Sequence, residues 1–128
     1  MGGVSSCGCL GQSKGEYVVE TLLKAHNIPY TREQKFKTCI FNDTQKPARF
    51  DFYINDTYLI EYDGEQHFKA SSFGWDTIDR FAITQAHDEF KNNWCKENNI
   101  PLIRIPYTHL NNLCIDDLLL ETSQFIVK

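Results

Sequence analysis

Residues 48–68 read ARFDFYINDTYLIEYDGEQHF. From Ala48 to Ile54 the stretch alternates. Phe50, Phe52 and Ile54 face one way, and Arg49, Asp51 and Tyr53 the other. Asn55-Asp56 predicts a tight hairpin turn. Tyr58 to Asp63 then returns as a strand, with Ile60 and Tyr62 on one face and Leu59, Glu61 and Asp63 on the other. Neighbouring strands lie ~4.8 Å apart, so Asp51 can meet Glu61 and Asp63 at one point. Carboxylates that close repel unless a cation or a proton compensates them. A set of hard oxygen donors suits Mg²⁺, Mn²⁺ or Ca²⁺ rather than zinc. The plain alternative is a solvent-facing strand face at a sheet edge. His67 follows the strand, where a neutral imidazole can serve as a general base; its plain alternative is a surface histidine.

Outward from this hairpin, Ser13-Lys14-Gly15-Glu16 has capping-box spacing and opens a helix whose apolar stripe is Val18, Val19, Leu22 and Leu23. Asn27-Ile28-Pro29 ends it. Glu16 and Glu20 share one face of this helix, either as solvated acids or, for Glu16, as a cap. Tyr30 to Lys37 predicts a first strand, and residues 42–47 a polar turn. Residues 69–76 predict a loop, with Asp76 capping a long helix to about Asn98 whose stripe is Ile78, Phe81, Ala82, Phe90 and Trp94. Leu102 to Ile105 predicts a buried strand, and Ile115 to Val127 a final helix. The order αβββαβα predicts an α/β (α+β) fold, a mixed sheet with flanking helices.

The chain has 128 residues, enough for one domain with a core. Hydrophobic residues make up 41% and charged residues 23%, the balance of a globular protein rather than a disordered one. The net charge of −4 gives no global pull toward polyanions, yet an acid-lined metal site would shift the balance the same way. No apolar run reaches the ~20 residues of a membrane span, and the first residues do not read as a secretory signal. Five cysteines, odd in number and mostly scattered, fit reduced thiols and a cytoplasmic setting. Residues 1–12, rich in Gly, Ser and Cys, read as a flexible lead-in. Cys7-Gly8-Cys9 alone is too tight for a four-ligand zinc site, so the sharper reading makes it the trailing edge of an upstream zinc module, the chain a fragment of a longer protein and residues 13–128 its folded domain.

The hairpin resembles the core of the PD-(D/E)XK nuclease superfamily. Asp51 matches the family's aspartate, with Phe50 in place of the preceding proline, and Glu61 matches the acid of the second element. The lysine position holds Asp63, which moves the base role elsewhere. The likeness is strongest to a branch with the same departure, the Vsr-like repair endonucleases and the phage homing endonucleases with an E-D-x-H-D motif. Glu16, Asp51, His67 and Asp88 match that motif in order, and the likeness spans about residues 13–107.

The resemblance implies a restriction-endonuclease-like core and a Mg²⁺-dependent DNA endonuclease, with Mn²⁺ able to substitute. It implies Asp51 as a metal ligand with Glu61 or Asp63, His67 activating water, Glu16 orienting His67 or a water, and Asp88 fixing the histidine tautomer. For Asp88, a helix-surface pair with Lys91 is the plain alternative. The partner implied is double-stranded DNA, and a homing role calls for a transient homodimer or two sequential nicks. Lys35, Lys46, Arg49, Lys69, Trp75 and Arg80 are the candidate DNA contacts. The rival readings are a mismatch-nicking repair endonuclease and a catalytically inactive nucleic-acid-binding module of the same fold.

Overall fold

The structure is a computed structural model that describes residues 14–64 and 75–127, with the backbone alone for 75–81. The elements are α1 (Lys14–Ala25), β1 (Tyr30–Ile40), β2 (Pro47–Ile54), β3 (Tyr58–Asp63), α2 (Trp75–Glu97) and β4 (Leu102–Pro106). Two 3₁₀ turns follow, Tyr107–Asn112 and Ile115–Leu118. The sheet runs in the order β1-β2-β3-β4. The first three strands are antiparallel neighbours, and β4 lies parallel to β3. The fold is therefore the mixed α/β arrangement that the alternation and helical stripes predict.

Both helices end by one device. Asn27 and Asn99 adopt positive φ, a conformation that asparagine tolerates better than most residues. Each is followed by Ile-Pro. Ile28 N–H donates to the Leu23 carbonyl at 3.0 Å, and Ile100 N–H to the Cys95 carbonyl at 2.9 Å. Each bond closes the last turn, and the proline then starts an extended segment. The hairpin turn also follows the sequence reading: Asn55 and Asp56 both have positive φ, which suits the twist of the flanking strands.

Apolar clusters cover both faces of the sheet. Val19 and Leu23 of α1 pack with Phe52, Ile54, Ile60, Ile103, Ile105 and Leu118. Trp94 and Cys95 of α2 pack with Cys39, Ala48, Phe50, Leu59 and Leu102. Helix α1 sits so close that a Cβ on Gly15 would lie 2.2 Å from the Tyr62 ring, which explains a glycine inside a helix.

Two expectations are corrected. Phe50 does not share a cluster with Phe52 and Ile54 but packs under α2. The alternation of β2 slips at Asp51, where the regular β2–β3 ladder stops. The final helix is also absent. Ile115–Leu118 is a single 3₁₀ turn, and beyond it the chain pairs with β4, with Ile126 opposite Ile103. Arg104 N–H donates to the Phe125 carbonyl at 3.1 Å and Val127 N–H to the Leu102 carbonyl at 2.8 Å. The strand edge of β4 supplies hydrogen bonds and apolar cover that an amphipathic final helix could not. The lead-in, residues 1–12, and the cap at Ser13 lie outside the described residues.

Candidate active site

Regular pairing between β2 and β3 runs from Ile54↔Tyr58 to Phe52↔Ile60. Past that point carboxylates stand in for the ladder. Asp51 N–H donates to Glu61 Oε1 at 3.0 Å, and Tyr62 N–H donates to Asp51 Oδ2 at 2.9 Å. Each acid thus satisfies an amide on the opposite strand that would otherwise be left without a partner. The solvent-facing alternative does not hold, because Asp51, Glu61 and Asp63 are 8%, 5% and 7% exposed.

Two basic residues hold the other acids. Lys91 projects inward from α2, and its ammonium donates to Glu61 Oε2 and to the Arg49 carbonyl, the latter at 2.6 Å. The Phe50 ring lies 4.8 Å from it. The plain alternative for Asp88, a helix-surface pair with Lys91, does not hold, because Lys91 turns inward to Glu61. Arg104 stands beside Glu61 on β4. Its Nη1 donates to Asp63 Oδ1 at 2.7 Å and lies 3.7 Å from Glu61 Oε2. Its Nε donates to Asn92 Oδ1 at 2.7 Å, and its Nη2 lies 3.7 Å from Asp88 Oδ1.

Glu16 comes in from α1. Arg32 Nη2 donates to its Oε1 at 2.8 Å, and Arg32 Nη1 reaches Glu20 Oε1 at 3.5 Å. The Tyr30 hydroxyl donates to Glu20 Oε2 at 2.6 Å. Arg32 lies over the Phe52 ring at 4.9 Å. Burial raises the Glu16 carboxyl above its ordinary range; Arg32 and Arg49 oppose that rise, and Glu61 adds to it.

Asp51 is strongly perturbed. Burial first, then the charge of Glu61 and that of Glu16, push its carboxyl up to about 7, while the Tyr62 amide and Lys91 pull it down. Among the described residues, Lys91 and Arg104 pair with Glu61 and Asp63, and none of their salt bridges extends to Asp51.

A divalent ion fits part of this donor set. Asp51 and Glu61 are hard oxygen donors held on facing strands, and a cation there would keep Asp51 ionised. Asp63 is drawn to Arg104 instead, and among the described residues no three His, Cys, Asp or Glu side chains form a ready ligand group. Asp88 meets Arg104, while His67, the candidate base, lies outside the described residues. Of the candidate DNA contacts, Lys35 and Arg49 are opposite one another on β1 and β2, and both are exposed, as is Lys46. Lys69 lies outside the described residues, and for Trp75 and Arg80 only the backbone of α2 is described.

Lys91 and Arg104 are the site residues that sequence reasoning missed. Arg104 lies between Ile103 and Ile105 in a buried strand, the same anomaly that marks the acids of β3. Lys91 stands three and four residues before Trp94 and Cys95, which points it at the core side of α2.

No family model matches the chain, and no solved structure does so significantly. Two curated viral proteins are similar over 49 residues, or 38% of this chain. One is the uncharacterized protein 307L of Invertebrate iridescent virus 6, at 39% identity, and the other the uncharacterized protein 033L of Invertebrate iridescent virus 3, at 37%. The matched stretch spans 25% of each of those proteins.

Proposed function

We propose that the chain is the catalytic domain of a metal-dependent DNA endonuclease that hydrolyses phosphodiester bonds. The observation that carries this reading is the interlocked pair Asp51–Glu61, buried between strands, with Lys91 on Glu61 and, among the described residues, no salt bridge to Asp51. Asp51 and Glu61 are the residues that would hold Mg²⁺ or Mn²⁺, which when bound polarises the scissile phosphate. The Lys91 ammonium offers positive charge to the phosphoryl oxygens where negative charge builds up. It occupies, from the helix, the role that the family's strand lysine has and that Asp63 cannot fill. His67 takes the proton of the attacking water. Arg32 sets the direction of Glu16, and Arg104 keeps Asp63 and Asp88 in place.

The test is conversion of supercoiled plasmid to nicked or linear DNA in Mg²⁺ or Mn²⁺. Wild type should convert it, and Asp51→Ala and His67→Ala should lose the activity. Equal cleavage by both variants would sink the reading. The balance of two acids by Lys91 and Arg104 also favours a second reading, an inactive binding module that needs no ion. Calorimetry separates the two: a nuclease binds Mn²⁺ in a manner that Asp51→Ala abolishes, and an inert module does not.

A further inference from the structure

Beside the acidic pair, a cleft of about 530 Å³ opens between the β1–β2 connection and α2. Lys91 and Asp88 line its inner end, so the cleft adjoins the groups that hold Glu61 and Arg104. Lys46 and Arg49, both exposed, line it from the hairpin. A chain of net charge −4 thus places two exposed cations, Lys46 and Arg49, on the rim of a cleft whose inner end is Lys91, paired with Glu61. Among the described residues, the one salt bridge Arg49 makes is marginal, with Glu33 at 4.0 Å.

Another wall of the cleft is aromatic. Phe41 stacks on His87 with ring centres 3.9 Å apart and planes 14° from parallel. Asp43 accepts a hydrogen bond from His87 Nε2 at 2.9 Å, which ties the β1–β2 connection to α2. The cleft therefore has a basic rim, an aromatic wall and an inner end at the candidate catalytic lysine. That combination matches a nucleotide unit, which carries a phosphate on one side and a flat base on the other.

We propose that this cleft seats the nucleotide next to the scissile phosphate, with Lys46 and Arg49 holding its backbone phosphate and the Phe41–His87 wall facing its base. The proposal rests on the nuclease reading and deepens it. It makes recognition on this side of the site a matter of backbone charge and stacking, which tolerates any base sequence.

The experiment is anisotropy of a short fluorescein-labelled duplex titrated with the full chain in EDTA, across a range of salt. Lys46→Ala/Arg49→Ala should bind about tenfold or more weakly at low salt. It should also flatten the salt dependence by about one, since one lost phosphate contact removes about 0.9 from the slope. Thr84→Trp, which fills the cleft without changing charge, should weaken binding to a similar degree. Lys24→Ala and Lys96→Ala, exposed lysines outside the cleft, should bind as wild type does. Unchanged binding by the double variant, equal weakening by the two controls, or no binding by wild type would overturn the cleft. Cleavage is read separately with Mg²⁺. A wild type that binds through the cleft and cuts nothing leaves the cleft standing and overturns the nuclease reading.

Discussion

Asp51 contributes to the fold and strains it at once. Its Oδ2 accepts the Tyr62 amide, yet its carboxyl is buried beside Glu61 and, among the described residues, forms no salt bridge. Its carboxyl rises from the ordinary 3.8 to about 7, so between roughly pH 4 and 7 the folded chain keeps a proton that the unfolded chain releases. Stability therefore falls as pH rises through that window, and the penalty is complete above it. Asp51→Asn should keep the hydrogen bond, remove the charge and raise stability by about 1–3 kcal/mol at pH 8, with little gain at pH 4. Thermal melts at the two pH values check this. Lys91 has the opposite balance. Lys91→Met strands the Glu61 charge and should cost about 3–5 kcal/mol in urea melts. Lys91→Met/Glu61→Gln should recover most of that stability and still cleave ~100-fold or more slowly than wild type.

At the scale of elements, α1 has to be seated before Glu16 can reach the site. In an open helix, Gly→Ala stabilises by about 0.5–1 kcal/mol. At Gly15 the added Cβ meets the Tyr62 ring, so Gly15→Ala should instead destabilise by about 1–3 kcal/mol. Gly15→Ala/Tyr62→Val should regain part of it in the same urea titration. The closing segment matters in a different way, because it covers the β4 edge that carries Arg104. Removing residues 120–128 frees the β4 backbone groups that bond Phe125 and Val127. The shortened chain should have a lower urea midpoint and form higher-order species on size-exclusion chromatography. The strands, the Asn55-Asp56 turn and the Asn-Ile-Pro helix ends were legible because local chemistry alone specifies them. The final segment was not: Leu118, Leu119, Phe125 and Ile126 fit a helical stripe, while their actual position depends on a free strand edge formed by residues far away in sequence. The acids were legible as a cluster because they interrupt apolar strands. Their counter-ions were harder to find, since Lys91 lies 30 residues from Glu61 and Arg104 lies 41 from Asp63, and only the β3–α2–β4 connection brings them together.

At the scale of the whole molecule, the sheet divides the work. The α1 face, built on Val19, Leu23, Phe52 and Ile60, carries the larger apolar cluster. The α2 face carries Leu59, Glu61 and Asp63 of β3 toward Lys91 and Arg104, while its own core is the smaller cluster around Trp94 and Phe50. Among the described residues, no helix is long and apolar enough to cross a membrane. The buried thiols of Cys39 and Cys95 are pushed up to about 11 and about 12 by burial, and both should resist alkylation in the folded chain. The buried carboxyl of Asp51, which among the described residues has no salt bridge, is where the fold's stability and the proposed activity meet. The most direct test measures plasmid cleavage by wild type and Asp51→Asn side by side in Mg²⁺ at pH 8. The account predicts that wild type cuts, and that the variant, although the more stable of the two, does not. A variant that cuts as fast as wild type would contradict it.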